Sequence, residues 1–233
     1  MSRYTGIDKA NYIRHIFQRL ADRYDLANHW MTWWQDDKWR GEVIERVQLP
    51  ENGKLLDIGT GTGELSYKAI HKVSSVFVVG ADFTQEMMRV GKARDKVNRI
   101  LWVNTDAHNL PFTSDSFDGV VSGYLLRNVI NLEMVLKEQY RVLKPGGRMV
   151  SLDTTPPPKD LWHFPVWVYL RWIIPIIGGL VTGDYKTYQY LPASTDHFLE
   201  ASSLGERMRM AGFRDVGFRS FMGNSMAIHW GVK

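Results

Sequence analysis

The stretch Asp57-Ile58-Gly59-Thr60-Gly61-Thr62-Gly63 limits the possible folds more than any other part of the chain. It directly follows a short apolar run, Lys54 to Ile58, and precedes an amphipathic segment from Glu64. Three glycines at alternate positions let the backbone turn sharply after a strand and approach a ligand with no Cβ atom in the way. The dinucleotide fingerprint would place a fourth glycine where this chain has Glu64, and a phosphate-gripping loop would require Gly-Lys-Ser/Thr. The loop is therefore of nucleotide type but satisfies neither phosphate motif. Glycines more often mark turns than ligands, so a second acidic position carries weight. Asp82, 25 residues after Asp57, ends the next apolar run and can accept hydrogen bonds from both hydroxyls of a ribose. Its plainer role would be to cap a helix opening at Thr84.

The loop sits in an alternating pattern. Short apolar runs at Lys54–Ile58, Val76–Ala81, Ile100–Asn104, Gly119–Ser122 and Arg148–Leu152 predict strands. Amphipathic segments near Glu64–Val73, Gln85–Arg94 and Leu132–Leu143 predict helices, with Thr84 and Asn131 as N-caps. Such βαβ units build a parallel sheet. Lys144-Pro145-Gly146-Gly147 ends the last helix as a hinge into the following strand. Upstream, Ile13, Ile16, Phe17 and Leu20, then Val43, Ile44 and Val47, fall at helical spacing. The connection between them, Tyr24 to Arg40, carries Trp30, Trp33, Trp34 and Trp39, enough aromatic surface to close over a pocket. After Pro156 the alternation stops, and it resumes with a helix face at Leu204, Met208 and Ala211, stopped by Gly212. Strands at Val216–Phe221 and Met226–Val232 follow. The organisation expected is one domain over 1–233: a helical cap (1–50), a ligand-binding core (51–155), an apolar insertion (156–203) and a C-terminal helix with two strands (204–233).

Composition narrows the function classes. A net charge of +4 is too mild to imply nucleic acid, though it is compatible with an anionic membrane surface. With no cysteine, disulfides, thiolate metal sites and cysteine nucleophiles are excluded. None of the seven histidines has a metal-site spacing, and no metal is expected. The N-terminus has no apolar signal core, which points to the cytoplasm. Leu161 to Val181 is nearly long enough to span a bilayer, but Arg171, Pro165, Pro175, Gly178 and Gly179 argue against a transmembrane helix. It is read equally as an irregular buried core segment or as a lipid-facing or substrate-enclosing cap.

A third element, Asn104-Thr105-Asp106-Ala107 with Leu110-Pro111-Phe112 and Phe117-Asp118, completes an ordered set with the glycine loop and Asp82. The set resembles class I S-adenosylmethionine-dependent methyltransferases. That resemblance implies an α/β, Rossmann-like, mostly parallel seven-stranded sheet with helices on both faces, S-adenosylmethionine lying across its carboxyl edge. By the same resemblance Gly59, Thr60, Gly61 and Thr62 line the methionine part, with Asp57 beneath its amino group. Asp82 with Phe83 would hold the ribose, Asp106 with the Ala107 backbone would read adenine, and Tyr24 and Gly123 would complete the site. Further matches are Tyr24-Asp25, Asn28 and Trp39, then Leu126-Arg127-Asn128-Val129, then Arg141 to Arg148, then Asp184 with Tyr188-x-Tyr190-Leu191, and finally Ala227 to Lys233. These are similar to the ubiquinone and menaquinone biosynthesis C-methyltransferases over nearly the whole chain. Where that family usually reads Ser-Phe-Gly-Leu before Arg-Asn-Val, this chain has Gly123-Tyr124-Leu125-Leu126.

The acceptor implied is a lipophilic polyprenyl quinol such as demethylmenaquinol, its tail met by Trp162, Phe164, Trp167, Trp172 and Ile173, with peripheral contact at the inner face of the membrane. A ring carbon becomes nucleophilic when a neighbouring phenol loses its proton, so a fixed positive charge is useful. Arg127 is the first candidate and Asn128 the second, with Tyr188 and Asp153 behind them. Arg127 could equally form a sheet-edge ion pair, and Asn128 could satisfy loop backbone. A phospholipid N-methyltransferase using Lys186 or Arg171 for the phosphate, and a non-catalytic S-adenosylmethionine-binding protein, stay open. Assembly is open too, with a homodimer one option.

Overall fold

The computed structural model describes residues 6–96, 98–156, 163–188 and 194–233. Trp162, Tyr190 and Leu191, and the side chain of Lys186, lie outside what it describes. Three helices come first: α1 (Gly6–Leu20), α2 (Tyr24–Thr32) and α3 (Gln35–Val47). Then β1 (Lys54–Ile58), α4 (Glu64–Lys72), β2 (Phe77–Asp82), α5 (Gln85–Arg94) and β3 (Ile100–Asn104) alternate. β4 (Phe117–Gly123), α6 (Leu132–Val142) and β5 (Leu143–Thr154) follow. An insertion carries α7 (His163–Val168), a π-helical turn (Tyr169–Ile173), α8 (Ile174–Thr182) and α9 (Tyr185–Tyr188). The chain closes with α10 (Ala201–Met210), β6 (Arg214–Phe221) and β7 (Met226–Val232).

The strands form one seven-stranded sheet in the order β3-β2-β1-β4-β5-β7-β6. β1 to β5 are parallel, and β7 runs antiparallel between β5 and β6. Parallel strands bury both faces, which is why their apolar runs are unbroken. Leu56, Val79, Val120 and Met149 face the core under α6 and α10, whereas Leu55, Val78, Val121 and Val150 face the one under α3 and α4. Having built outward to β3, the chain returns to lay β4 beside the other edge of β1. Connections on either side of that switch point leave a crevice at the carboxyl ends of β1 and β4, where ligands of such sheets bind.

Several local expectations change. Tyr24 to Arg40 is mostly helical, not a connection. α2 and α3 are separated by Trp33 and Trp34, both left-handed at φ 53° and 60°. Their exposed tryptophans broke the apolar periodicity that would have revealed them. Asn131 accepts the Met134 N–H as expected, but Thr84 makes no side-chain cap, and Asp82 Oδ1 takes the Thr84 N–H at 2.7 Å instead. Leu143 already pairs with Phe117, and the register resumes at Gly119 with Arg148. The expected hinge Lys144-Pro145-Gly146-Gly147 is thus a bulge inside β5.

The insertion is not irregular. Phe164 to Thr182 is a single 19-residue helical run of mean hydropathy 1.6, of which only 11% is buried. Pro175 has no N–H to continue an α-helical ladder, and the π turn directly before it absorbs the break, with the Ile174 N–H reaching Tyr169 O. One face of α8 packs on α2, in a cluster of Ile16, Leu20, Ala27, Met31 and Tyr188. Gly178 is required there, because a Cβ would lie 2.2 Å from the Tyr188 ring. The opposite face leaves Trp172, Ile176 and Leu180 in solvent.

Candidate active site

The crevice at the switch point is a basin of about 680 Å³. Of the residues expected to hold the cofactor, Tyr24, Asp57, Gly59, Thr60, Gly61, Thr62, Asp82, Phe83 and Gly123 line it. Asp106 and Ala107 line an adjoining recess of about 430 Å³ that shares Ile13, Phe83, Leu125 and Asn128 with the basin. Gly59, Gly61 and Gly63 all have positive φ (68°, 56° and 88°), so the loop runs as only glycine readily allows.

Asp57 is buried at the foot of the loop. Its Oδ2 accepts Thr60 Oγ1 at 2.7 Å, Ser66 Oγ at 2.7 Å and the Ser66 N–H at 3.2 Å. Its Oδ1 is buried without a partner. Burial pushes this carboxyl up to about 6 against the lowering pull of Ser66 and Thr60. An ammonium group at that oxygen would supply the missing donor and restore the ionised form. Asp82, also buried, accepts the Gly61 N–H at 2.8 Å and the Thr84 N–H at 2.7 Å, one on each oxygen. Burial raises its pKa, and those two N–H groups lower it. A carboxylate has about four acceptor positions, so two remain for a diol. Asp106 takes the His108 N–H at 2.9 Å and its Nδ1 at 2.6 Å, a turn that orients the recess. The donor set fits an amino acid joined to a nucleoside: an orphaned acid for the ammonium, a buried acid for the ribose and an apolar recess for the base.

A second cavity of about 550 Å³ meets the basin at Tyr124. Met31, Tyr169, Leu170 and Ile174 form apolar walls, so α2 and the insertion enclose it, while Arg127, Thr154 and Thr195 supply polar positions. Arg127 Nη1 pairs with Asp153 Oδ1, and the Arg127 N–H reaches Asp153 Oδ2 at 3.2 Å. The guanidinium lies 5.2 Å from the centre of the Tyr124 ring. Two of the expected catalytic residues are thus one buried ion pair. Asn128 lines the basin and gives its Nδ2 to Tyr124 O at 2.8 Å, which is the loop role weighed for it. Tyr188 is brought to neither cavity: it packs between α1, α2 and Gly178 and anchors the insertion.

Sequence reasoning missed several neighbours. Arg40, buried in the basin wall, pairs with Asp36 at 2.8 Å, and Asp36 also holds His29 Nδ1 at 2.9 Å and Thr32 Oγ1 at 2.9 Å. The signal was present, since Asp36, Arg40, Val43, Ile44 and Val47 share one helical stripe and two of them are charged. Asp25 ties α2 to the loop through Thr62 Oγ1 at 2.8 Å and Arg94 at 3.2 Å. Other motif residues prove structural. Lys144 pairs with Asp118 at 2.8 Å, Lys233 with Asp115 at 2.7 Å, and Arg141 donates to the carbonyls of Phe112 at 2.7 Å and Leu110 at 3.1 Å. His229, its pKa lowered by burial, bonds Ala201 O at 2.8 Å.

Comparison with known proteins gives a consistent result. The sequence profile of the ubiE/COQ5 methyltransferase family matches residues 5–233. The ubiquinone/menaquinone biosynthesis C-methyltransferase UbiE of Desulfotalea psychrophila is 42% identical over 227 residues, spanning 97% of this chain and 92% of that protein. The demethylmenaquinone methyltransferase of Roseiflexus castenholzii is 36% identical over 97% of this chain and 94% of its own length. Among solved structures, an S-adenosylmethionine-dependent methyltransferase from Thermotoga maritima, described as a possible histamine N-methyltransferase, superposes with a TM-score of 0.67 at 19% identity. It covers 94% of this chain and 98% of its own. At that identity the likeness shows the fold alone, here the class I Rossmann-like sheet.

Proposed function

The chain belongs to the ubiE/COQ5 methyltransferase family and is an S-adenosylmethionine-dependent methyltransferase of quinone biosynthesis, and we propose that it methylates a ring carbon of a polyprenyl hydroquinone such as demethylmenaquinol. The observation that carries this choice of acceptor is the second cavity: apolar walls, one buried cation and Tyr124 as a wall shared with the cofactor basin.

Bound S-adenosylmethionine supplies an electrophilic methyl group on its sulfonium. The chain's own work is to hold the two partners in line, which accounts for much of the acceleration in such displacements. Asp57 Oδ1 would receive the amino group, Asp82 would take the ribose hydroxyls, and Asp106 with Ala107 would border the base. Thr60 and Gly61 keep the loop open, while Tyr24 and Gly123 close its sides. On the other side of Tyr124, the Arg127 guanidinium stabilises the phenolate oxygen whose charge makes the adjacent ring carbon nucleophilic. Asp153 fixes the guanidinium through Oδ1 and the Arg127 backbone N–H through Oδ2, and Asn128 fixes the turn that carries them.

The tail would leave along the insertion. The π turn and α8 turn Trp172, Ile176 and Leu180 outward, Trp30 of α2 and the following Trp33 add to them, and Arg171 and Arg19, paired with Asp196 and Asp184, keep more than half of each side chain exposed. An apolar helical face flanked by cations suits the inner, anionic surface of a membrane, with the enzyme otherwise in the cytoplasm. Incubating the protein with labelled S-adenosylmethionine and either demethylmenaquinol or phosphatidylethanolamine tests the acceptor. Label on a carbon of the naphthoquinol ring is expected, and label confined to the phospholipid would overturn the reading.

A further inference from the structure

Tyr124 occupies a costly position twice over. Its backbone is left-handed at φ 60°, unusual for a bulky aromatic residue. Its phenolic hydroxyl is buried without a hydrogen-bond partner. Strain of that kind persists only where the surroundings over-determine it. They do: the Tyr124 N–H is bound to Leu152 O at 2.7 Å, and its carbonyl accepts Asn128 Nδ2 at 2.8 Å. β5 on one side and the Arg127-Asn128 turn on the other therefore pin the residue. What the pinning achieves is placement, because Tyr124 lines both the cofactor basin and the apolar cavity. The flanking cations are Arg127, against its ring, and Arg40, in the basin wall. Burial raises the hydroxyl's pKa, so it stays protonated and able to donate. A phenylalanine would fill the same space without the orphaned donor.

We propose that the Tyr124 hydroxyl is an acceptor-recognition group that donates a hydrogen bond to a ring oxygen of the hydroquinone at the seam where donor and acceptor meet. This rests on the hydroquinone reading above. The hydroxyl completes its hydrogen bonding only when the acceptor is bound, so its desolvation cost is recovered in the complex and not in the free enzyme. A site with a buried donor of this kind discriminates strongly against ligands lacking the matching oxygen.

The test compares wild type with Tyr124→Phe in three measurements: turnover of a short-tailed demethylmenaquinol, calorimetric affinity for S-adenosylmethionine and thermal unfolding of the free protein. Expected for the variant are a fall in kcat/KM for the acceptor of about 10–100-fold, unchanged cofactor affinity, and a Tm higher by about 2–4 °C because the orphaned hydroxyl is gone. Unchanged kcat/KM would overturn the proposal. So would a loss of cofactor affinity, which would assign the hydroxyl to the cofactor, or a lower Tm, which would give it a partner within the fold. Wild-type protein that binds cofactor but does not methylate the quinol overturns the hydroquinone reading and this inference with it, whereas a wild type that turns over beside an equally active variant overturns the inference alone.

Discussion

The cofactor basin and the acceptor cavity touch at one residue yet are built by opposite means. The basin is made from strand ends and the loop that leaves β1, so its shape follows from backbone: three glycines with positive φ and two buried carboxylates bonded to main-chain N–H groups. The acceptor cavity is made from side chains of elements far apart in sequence, with Met31 of α2, Arg127 after β4, Tyr169 of the π turn and Met226 of β7 all on its wall. A backbone-built site accommodates little change, because moving it means moving the sheet. A site walled by an inserted helix pair can change its ligand while the sheet stays as it is.

If that contrast is right, substitutions on one side should leave the other intact. The largest effect is expected at Arg127. Replacement by alanine should lower kcat about 100–1000-fold with cofactor affinity unchanged, measured by steady-state kinetics beside calorimetry. Asp153 would be left buried without its partner, so Tm should fall, and Arg127→Lys should restore most of the stability but only part of the rate. A parallel loss of cofactor affinity would break the separation. On the basin side, Asp82→Ala should weaken S-adenosylmethionine binding about 100-fold, removing charge-assisted bonds both to the ligand and to Gly61 and Thr84.

A smaller effect is expected from pH. Burial pushes the Asp57 carboxyl of the free fold up to about 6, above the usual carboxylate range. The folded state thus holds this proton more tightly than the unfolded chain, and the stability it contributes is complete below about pH 4 and lost as pH climbs through 6. Cofactor binding should run the other way, because an ammonium requires the carboxylate. Affinity should drop about tenfold from pH 7 to pH 5 in calorimetric titrations, and a flat profile would remove Asp57 from that role. The smallest change at the active site belongs to the outer face of the π turn and α8. A Trp172→Glu, Leu180→Glu double variant should keep cofactor affinity and turnover of a short-tailed acceptor. Its partition onto anionic vesicles in a sedimentation assay should fall about tenfold. Equal sedimentation of the two proteins would exclude this face as the membrane contact.

The two sites were legible in the sequence to different degrees. β1, β3, β7 and α5 fall at their expected bounds, and β2, β4, β5, β6, α4 and α6 shift by one to five residues at an end, because alternating apolar runs and amphipathic segments are local patterns. The basin residues were recognisable for the same reason: they sit at strand ends and in one glycine loop. Of the two readings of the insertion, the irregular buried segment fails, since Pro165, Pro175 and the glycine pair argue locally for irregularity where the chain is helical and mostly exposed. The π turn that absorbs Pro175 and the Tyr188 ring that needs Gly178 are visible only in three dimensions.

By itself, then, the sequence determined the order of the elements, the parallel sheet and the loop that approaches the cofactor, since each depends on residues adjacent in the chain. Tertiary structure alone decided that Arg127 and Asp153 form a pair, that Asp36 gathers His29, Thr32 and Arg40, and that α2 and the insertion enclose a cavity meeting the basin at Tyr124. Those features depend on how separate segments pack, and no local periodicity or spacing encodes which charged side chains will be buried together.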